Sequence, residues 1–241
     1  MATRAYSCGM VSSGHPILYS FRRCPYAMRA RLALASAGFT VELREIVLRD
    51  KAADFVTASP KATVPVLVLP DGTVIEESLD IMLHVLGQHD PEHLLRPPHA
   101  TQEDMLALIA EFDGPFKTAL DRYKYANRYD DADPLNQRDK AAMFLHRLDD
   151  LLAPQVGFFY GSRPSLADFA ILPFIRQFAN VDRAWFDAGP WLHLLSALNQ
   201  FTSSARFAAI MGKYQKWQPA DPPLWFAVRA VPNAHIQAEN E

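Results

Sequence analysis

The N-terminal third of the chain alternates between short apolar runs and stretches with helical spacing. The run Ile17–Ser20 predicts a short buried strand, and the following residues predict a helix that begins at Pro25 and ends at Gly38. Small and apolar side chains recur on one face of this helix: Ala27, Ala30, Leu34 and Ala37. Apolar and charged residues then alternate over 41–44, which predicts a second strand. A strand, a helix and a strand in succession favour parallel strands with a right-handed crossover.

Further strands and helices complete this first pattern. Residues 49–58 are compatible with a short helix. Apolar residues on both sides of Asp71–Gly72 predict two strands joined by a tight hairpin. Another helix is predicted over Ser78–Gln88. We expect this α/β region to span residues 16–91, after a disordered leader over residues 1–15.

Strand signals become scarce in the rest of the chain. Residues 92–101 are rich in proline and histidine, which is typical of a linker between domains. Apolar residues then recur at helical spacing, so residues 102–241 are predicted to form a helical domain with an extended C-terminal tail. Ser165 and Asp168 have the spacing of a capping box at a helix start. Pro173 lies inside the same helical pattern and is expected to kink it.

Composition and charge narrow the classes of function. Of the 241 residues, 49% are hydrophobic and 21% are charged, so we expect a soluble globular chain without a membrane partner. The formal net charge of −3 argues against a nucleic-acid partner, because such proteins need a basic surface. The only cysteines, Cys8 and Cys24, are too few for a disulfide framework or a four-thiolate zinc site. They suit a reducing cytoplasm, and Cys8, in the leader, is expected to have no role.

Cys24 is the strongest candidate for chemistry. It precedes Pro25 at the predicted helix start, where unpaired backbone amides and the helix dipole favour negative charge. The pKa of its thiol is therefore expected to fall from about 8.5 into the range of roughly 3.5–7.5, helped by Arg22 and Arg23 if they face the sulfur. Ala27 stands where a dithiol oxidoreductase has its second cysteine, so Cys24 is expected to form a mixed disulfide with an external thiol. The alternative is a buried structural cysteine, since cysteines are often fully buried.

Four short motifs, in their order along the chain, resemble the glutathione transferase superfamily. Cys24 lies in CPY, which is similar to the active-site motif of the cysteine-type, omega-like members. ATVPVL, residues 62–67, resembles the family's loop with a cis-proline, and EES, residues 76–78, resembles its Glu-Ser pair. SLADFAIL, residues 165–172, is similar to the capping box of the core C-terminal helix. The resemblance implies an α/β plus all-α fold, with a thioredoxin-like N-terminal domain followed by an all-helical C-terminal domain.

The same resemblance implies a site for glutathione as co-substrate. Beside the catalytic Cys24, the residues that would bind glutathione are Pro25, Tyr26, Lys51, Val64, Pro65, Glu77 and Ser78. A cis bond between Val64 and Pro65 would leave the Val64 backbone to pair with the cysteinyl part of glutathione. Glu77 would bind the γ-glutamyl ammonium, and Ser78 with the amides of its helix start would bind the γ-glutamyl carboxylate. Lys51 would meet the glycyl carboxylate.

Each of these assignments has an alternative. Lys51 can be an ordinary surface lysine, and Ser78 can simply cap its helix. Glu76 takes the place of Glu77 if the predicted register slips by one residue. Pro65 can instead be a trans proline on an edge strand.

Two departures from the family pattern bear on the chemistry. Ser59 and Ala62 stand where many relatives have Asn and Gly, so the loop before the proline is expected to differ. The tyrosine or serine that activates glutathione in conjugating classes is not obviously used, because Tyr19 and Ser20 lie in the first predicted strand. Cys24 holds the helix-start position instead. A cysteine there favours thiol–disulfide exchange or reductive deglutathionylation over conjugation.

The segment DRYKYANRY, residues 121–129, interleaves tyrosines with cations. The resemblance puts it late in the first helix of the C-terminal domain, where Arg122, Tyr123 and Tyr125 would border a pocket for the second substrate. Such side chains suit an aromatic or acidic co-substrate, such as a glutathionyl quinol or dehydroascorbate. The alternative is a solvated, partly packed helix end.

Three functions are consistent with these residues. The first is a glutathione-dependent thioltransferase, dehydroascorbate reductase or deglutathionylating enzyme with Cys24 as nucleophile. The second is a reductase or lyase that acts on glutathionyl aromatics with the same residues, and the third is a non-catalytic binding module on the same fold. Cys24, Val64–Pro65 and Glu77–Ser78 together favour an enzyme. The resemblance implies a homodimer, and the low cysteine content favours the cytoplasm.

Overall fold

The computed structural model describes residues 14–131, 133–155 and 157–226. They form two compact units, of which the first contains residues 14–92 and 205–226 and the second the described part of 93–204. The first unit combines a sheet with helices and the second is helical, so the predicted fold class is confirmed. Most of the predicted leader, Cys8 included, lies outside the described residues.

A mixed sheet is the core of the first unit. Within the described residues its strands are β1 (Ile17–Ser20), β2 (Val41–Glu45), β3 (Val66–Val68), β4 (Val74–Ile75) and β5 (Trp225–Phe226), in the order β4-β3-β1-β2-β5. β1 and β2 are parallel, as predicted, with Ile17 opposite Glu42. β3 and β4 form the antiparallel hairpin predicted at Asp71–Gly72, and Gly72 has the left-handed φ of 84° that the turn uses.

Three helices follow the strands of the first unit along the chain: α1 (Pro25–Ala37), α2 (Ala53–Ala58) and α3 (Ser78–Gln88). α1 ends at Gly38, whose φ of 63° confirms the predicted left-handed stop. The predicted apolar face of α1 is buried, and so is the rest of the helix over 27–37, Arg29 and Arg31 included. α1 is enclosed because α3 and the later helix over Ala205–Ile210 both pack against it.

The second unit is built from helices. In its described part these are α4 (Gln102–Glu111), α5 (Lys117–Lys124), α6 (Pro134–Leu152), α7 (Leu166–Ala179), α8 (Arg183–Asp187) and α9 (Leu192–Ser203). Between α4 and α5 the chain continues as a π-helical turn over Phe112–Phe116. Pro115 lies in this turn and has no N–H for a regular helical hydrogen bond, so the wider turn accommodates it. Phe116 and Phe178 contribute to an aromatic core, with ring centroids 6.0 Å apart.

The capping box predicted at the start of α7 is present. Asp168 accepts hydrogen bonds from the amide of Ser165 at 2.8 Å, the hydroxyl of Ser165 at 2.6 Å and the amide of Phe159 at 2.9 Å. Burial raises the pKa of the Asp168 carboxyl to about 6, although these hydrogen bonds act in the opposite direction. α7 continues through Pro173 to Ala179.

After α9 the chain returns to the first unit. α10 (Ala205–Ile210) packs against α1, and Arg206 donates two hydrogen bonds, of 2.7 and 2.6 Å, to the carboxylate of Glu92. Further along, Trp217 packs against Tyr19, with ring centroids 6.2 Å apart. The sequence-based boundary grouped this segment with the helical domain. The structure differs because α10 and the following residues bury their apolar side chains against the first unit.

Residues 211–226, here called the C-terminal strap, lie along the β2 edge of the sheet. The amide of Trp217 donates to the carbonyl of Glu45 at 2.9 Å, and β5 pairs with β2 antiparallel. The ring of Trp217 is buried, with the Arg44 guanidinium 4.2 Å from a ring centroid. Trp225 contributes its backbone to the sheet while its side chain stays 46% exposed. Of the two tryptophans of the strap, Trp217 is therefore the buried one.

Candidate functional site

Cys24 lies at the start of α1, where the sequence predicts it. It is the N-cap residue, with an extended backbone, and Pro25 is the first helical residue. The side chain is half-buried, and its Sγ lies 3.7 Å from the carbonyl oxygen of Val64. The amide of Cys24 donates to the carbonyl of Phe21 at 3.0 Å, which closes a tight turn before the helix. The sulfur therefore lies at the positive end of a helix dipole, beside the loop that contains Val64.

The peptide bond between Val64 and Pro65 is cis, which confirms that prediction and excludes the trans alternative. Ala62, two residues earlier, has a φ of 52°, a left-handed conformation that is unusual for a residue with a side chain. Ala62 thus has a glycine-like backbone, at the position where the family resemblance predicts glycine. Val64 is buried in a cluster with Tyr19 and Phe55, which holds the loop against the sheet.

Glu77 and Ser78 begin α3. Glu77 is the N-cap residue and Ser78 the first helical residue, so Ser78 does not cap the helix. The carboxylate of Glu77 is exposed and accepts a hydrogen bond from the ammonium of Lys61. This hydrogen bond raises the pKa of Lys61. The exposed start of α3 therefore carries one anion and one cation side by side.

Glu76, the alternative to Glu77, has a different environment. Its carboxylate accepts a 2.6 Å hydrogen bond from the hydroxyl of Ser59, which is buried. Ser59 ends α2, so this bond ties the end of α2 to the start of α3. The carboxylate of Glu76 is thus engaged within the protein, and Glu77 is the more exposed of the two.

Arg29 connects α1 with the start of α3. Its side chain is fully buried, with Nη1 3.5 Å from the Ser78 hydroxyl and the guanidinium 5.4 Å from the centroid of the Tyr26 ring. A buried cation behind the first amides of α3 adds to the attraction that this helix start has for a carboxylate. Lys51 is exposed and lies two residues before α2, and its predicted role with the glycyl carboxylate stays a prediction.

A cluster of buried charges lies beneath the loop that leads to Cys24. Arg31 donates a 2.7 Å hydrogen bond to the carbonyl of Arg22. Glu45 accepts a 2.6 Å hydrogen bond from the amide of Arg22, and its other oxygen lies 3.9 Å from the Arg31 guanidinium. Burial lowers the pKa of Arg31 to about 10, with Glu45 the main influence in the other direction. Burial also raises the pKa of Glu45. Arg31 is therefore charged at neutral pH.

The three residues predicted to border a second-substrate pocket lie at the end of α5, in the second unit. Arg122 pairs with Asp131 at 2.6 Å and lines a cavity of about 750 Å³ between α5 and α6. The ring of Tyr123 packs against Phe178, with centroids 5.5 Å apart, and burial raises its pKa. Tyr125 is the residue that ends α5. The three residues thus have separate environments, and their joint role stays a prediction.

The described part of the chain contains neither a candidate metal site nor a candidate membrane-spanning helix. No group of three or more His, Cys, Asp or Glu side chains is arranged there to hold a metal ion. Among the same residues, no helix is long and apolar enough to cross a membrane.

Four residues near the site were not anticipated from the sequence: Arg29, Arg31, Glu45 and Lys61. Arg29 and Arg31 did carry a signal, because they interrupt an otherwise apolar helix that has no polar face. Charged residues in such a helix are buried with partners. Lys61 carried no such signal, since its partner Glu77 lies sixteen positions further along the chain and no periodicity links the two.

Two family models match this chain. The model described as the N-terminal domain of glutathione S-transferases matches residues 18–93, and the model of their C-terminal domain matches residues 106–202. Together they cover well over half of the 241 residues.

Individual relatives agree with the two models. The chain is 27% identical over 170 residues to glutathione S-transferase omega-1 of Rattus norvegicus, which covers 70% of this chain and 69% of the relative. It is 27% identical over 188 residues to maleylacetoacetate isomerase of Mus musculus, which covers 75% and 85%. A solved glutathione transferase family member from Pseudomonas fluorescens pf-5, with two glutathione bound, shares the fold with a TM-score of 0.70 at 20% identity, over 84% of this chain and 95% of that one. Both matched domains, in their order along the chain, identify it as a member of the glutathione transferase superfamily that is similar to omega-class enzymes.

Proposed function

We propose that the chain is a glutathione-dependent thiol transferase with Cys24 as its nucleophile. The Cys24 thiolate attacks the glutathionyl sulfur of a mixed disulfide RS–SG, the S–S bond breaks, and RS⁻ leaves and takes up a proton. A glutathione thiolate then attacks the same sulfur in the Cys24 disulfide, which releases oxidised glutathione and restores the Cys24 thiolate. The sum is RS–SG plus glutathione giving RSH plus oxidised glutathione. Thioltransferase, deglutathionylase and dehydroascorbate reductase activities all use this thiol.

The position of Cys24 carries the proposal. Its sulfur is at the N-cap of α1, 3.7 Å from the carbonyl of Val64 in the cis-proline loop. A helix start stabilises a thiolate over a thiol. Ala27 occupies the position of a second cysteine, so the disulfide formed by Cys24 has to be resolved by a second glutathione molecule.

The glutathione that enters this reaction is proposed to bind within residues 16–91. The backbone of Val64 pairs with its cysteinyl part, beside Cys24. Glu77 takes the γ-glutamyl ammonium, and Ser78 with the first amides of α3 takes the γ-glutamyl carboxylate. Lys51 is proposed for the glycyl carboxylate. Support comes from the exposure of Glu77 and from the relative of Pseudomonas fluorescens that contains two glutathione molecules.

The experiment is glutathione-dependent reduction of hydroxyethyl disulfide by three forms of the full chain. Cys24→Ala is expected to lose at least about 100-fold in rate, because it lacks the thiolate that does the chemistry. Cys8→Ser is the matched control and is expected to keep the wild-type rate. Oxidised glutathione should also add one glutathionyl group to Cys24 in the intact protein, as measured by mass spectrometry. Turnover that survives in Cys24→Ala would refute the proposal.

A second candidate is a glutathione-dependent isomerase, favoured by the similarity to the mouse protein named maleylacetoacetate isomerase. Conversion of maleylacetoacetate without reduction of hydroxyethyl disulfide would select it. If both substrates are inert, measured glutathione binding points to an enzyme for glutathionyl aromatics, and its absence to a non-catalytic module.

We also propose that the chain is a homodimer, as its family resemblance implies, and that it resides in the cytoplasm, which its low cysteine content favours. Analytical ultracentrifugation of the full chain at micromolar concentration tests the dimer, and a monomer at all concentrations would contradict it.

A further inference from the structure

Arg31 lies on the same side of α1 as Cys24. It follows Cys24 by seven residues, which is almost two helical turns. Side chains on a helix lean towards its N-terminus, so the guanidinium of Arg31 reaches back to the loop before Cys24. There it donates a 2.7 Å hydrogen bond to the carbonyl of Arg22, two residues from the cysteine.

The charge of Arg31 is only partly compensated. The side chain is 0% exposed, and its Nε and Nη1 make no hydrogen bond within the described residues. The carboxylate of Glu45 stays 3.9 Å from Nη1 instead of forming a direct hydrogen bond, and its Oε2 is likewise unbonded. A buried guanidinium is unfavourable unless an anion faces it. Besides Glu45, the titratable groups near Arg31 are Tyr214 of the C-terminal strap, Cys24 and Arg22.

We propose that Arg31 is a positioning residue whose buried positive charge stabilises the Cys24 thiolate and whose hydrogen bond to Arg22 holds the loop before it. The inference rests on the proposed role of Cys24 as a thiolate nucleophile. Glu45 acts in the opposite direction, because its carboxylate competes with the thiolate for the same guanidinium. The pair Arg31 and Glu45 thus sets how much positive field reaches the sulfur.

The test measures the ionisation of Cys24 without glutathione. In a Cys8→Ser background Cys24 is the single cysteine, and the pH dependence of its alkylation by iodoacetamide in the folded protein gives the thiol pKa. Arg31→Met removes the charge and keeps an unbranched apolar side chain. We expect it to raise the thiol pKa by about one unit or more, which slows alkylation about tenfold at a pH well below both pKa values. Arg31→Lys keeps the charge and should stay within a few tenths of a unit.

Two further variants separate this electrostatic role from a purely structural one. Glu45→Gln removes the competing anion and is expected to shift the thiol pKa downwards, opposite to Arg31→Met. Arg206→Met is the control, because this buried arginine bonds Glu92 and Ser36 at the far end of α1, and it should leave the thiol pKa unchanged.

An unchanged thiol pKa in Arg31→Met, or shifts of the same sign in Arg31→Met and Glu45→Gln, would overturn the proposal. If Arg31→Met does not fold, Arg31→Gln, which also removes the charge, provides the same test. Because alkylation needs no glutathione, opposite shifts together with an inert disulfide assay would refute the proposed function and leave the role of Arg31 intact.

Discussion

At the scale of single residues, the exposed ion pair of Lys61 and Glu77 can be replaced by ion pairs with a ligand. Exposed ion pairs contribute only about 0–1 kcal/mol to stability, so the two side chains separate easily. In the proposed complex the ion pair between Lys61 and Glu77 breaks, and Glu77 binds the ammonium group of glutathione instead. The ammonium and the carboxylate of the γ-glutamyl group sit on one carbon atom, so Lys61 then has an anion within reach. The two opposite charges of the γ-glutamyl group thus match the opposite charges of Glu77 and Lys61.

Glu77→Gln is expected to weaken glutathione binding by about 10-fold or more, because a hydrogen bond to a charged group contributes about 1.5–3 kcal/mol. Isothermal titration calorimetry with reduced glutathione measures the effect. Glu76→Gln is the matched control, since its carboxylate is already bound by Ser59, and its affinity should change less than about 3-fold. The reverse ranking of the two variants would move the ammonium site to Glu76.

Part of the geometry of the candidate site was predictable from the sequence, because it depends on a few neighbouring residues. Cys24 and Pro25 predict a helix start, which the structure confirms. Val64–Pro65 lies in a short motif whose predicted cis bond is also confirmed. Lys61 was missed because its partner Glu77 lies sixteen residues away, and the signal for a buried Arg31 did not identify Glu45 as its anion. Which buried charge faces which carboxylate depends on how the strands and α1 pack, and local patterns do not contain that information.

At the scale of the element, two helices begin with the same capping motif in opposite surroundings. Asp168 of α7 is buried, and its pKa is raised to about 6. Asp104 of α4 makes the same box with Thr101 in solvent, and hydrogen bonds from Thr101 lower its pKa. The folded protein therefore holds the Asp168 proton more tightly than the unfolded chain does. Stability from this proton is present below about pH 4 and is lost as the pH rises through about 6.

Asp168→Asn removes this titration. The difference in free energy of unfolding between wild type and variant is expected to shrink between pH 4 and pH 7, by at most about 3 kcal/mol for a shift of roughly two pKa units. Urea unfolding at several pH values measures it. Asp104→Asn is the control with the opposite sign, because a lowered pKa contributes stability that is lost as the pH falls. If the difference in free energy of unfolding does not change with pH, the hydrogen bonds to Asp168 fully cancel the effect of burial on its pKa.

Elements with local signals were predicted well, and those that depend on distant partners were not. β1, the stop of α1 at Gly38 and the hairpin at Asp71–Gly72 agree with the structure because a few neighbouring residues determine each of them. β5 is two residues long and exists because it pairs with β2, from which about 180 residues of chain separate it. The pattern of residues in the tail therefore does not predict that β5 pairs with β2.

At the scale of the whole molecule, the C-terminal strap attaches the end of the described chain to the sheet through Trp217. Trp217→Ala is expected to destabilise the first unit by about 3–5 kcal/mol, because a buried aromatic side chain is lost and a cavity is left. Trp225→Ala is the matched control, with a ring that is 46% exposed, and should change stability by about 1 kcal/mol or less. Urea unfolding measures both. Equal effects of the two variants would show that the strap is held by its backbone alone.

The order of the two units along the chain has a consequence for synthesis. The first unit is made of two stretches with the second unit between them, and ribosomes build chains from the N-terminus. During translation β2 therefore lacks its partner strand β5 and remains an exposed sheet edge until the more than one hundred residues of the second unit have been synthesised. Chains stalled in that interval offer the edge to one another. The strap that completes the sheet thus also ends the period in which nascent copies are able to pair edge to edge.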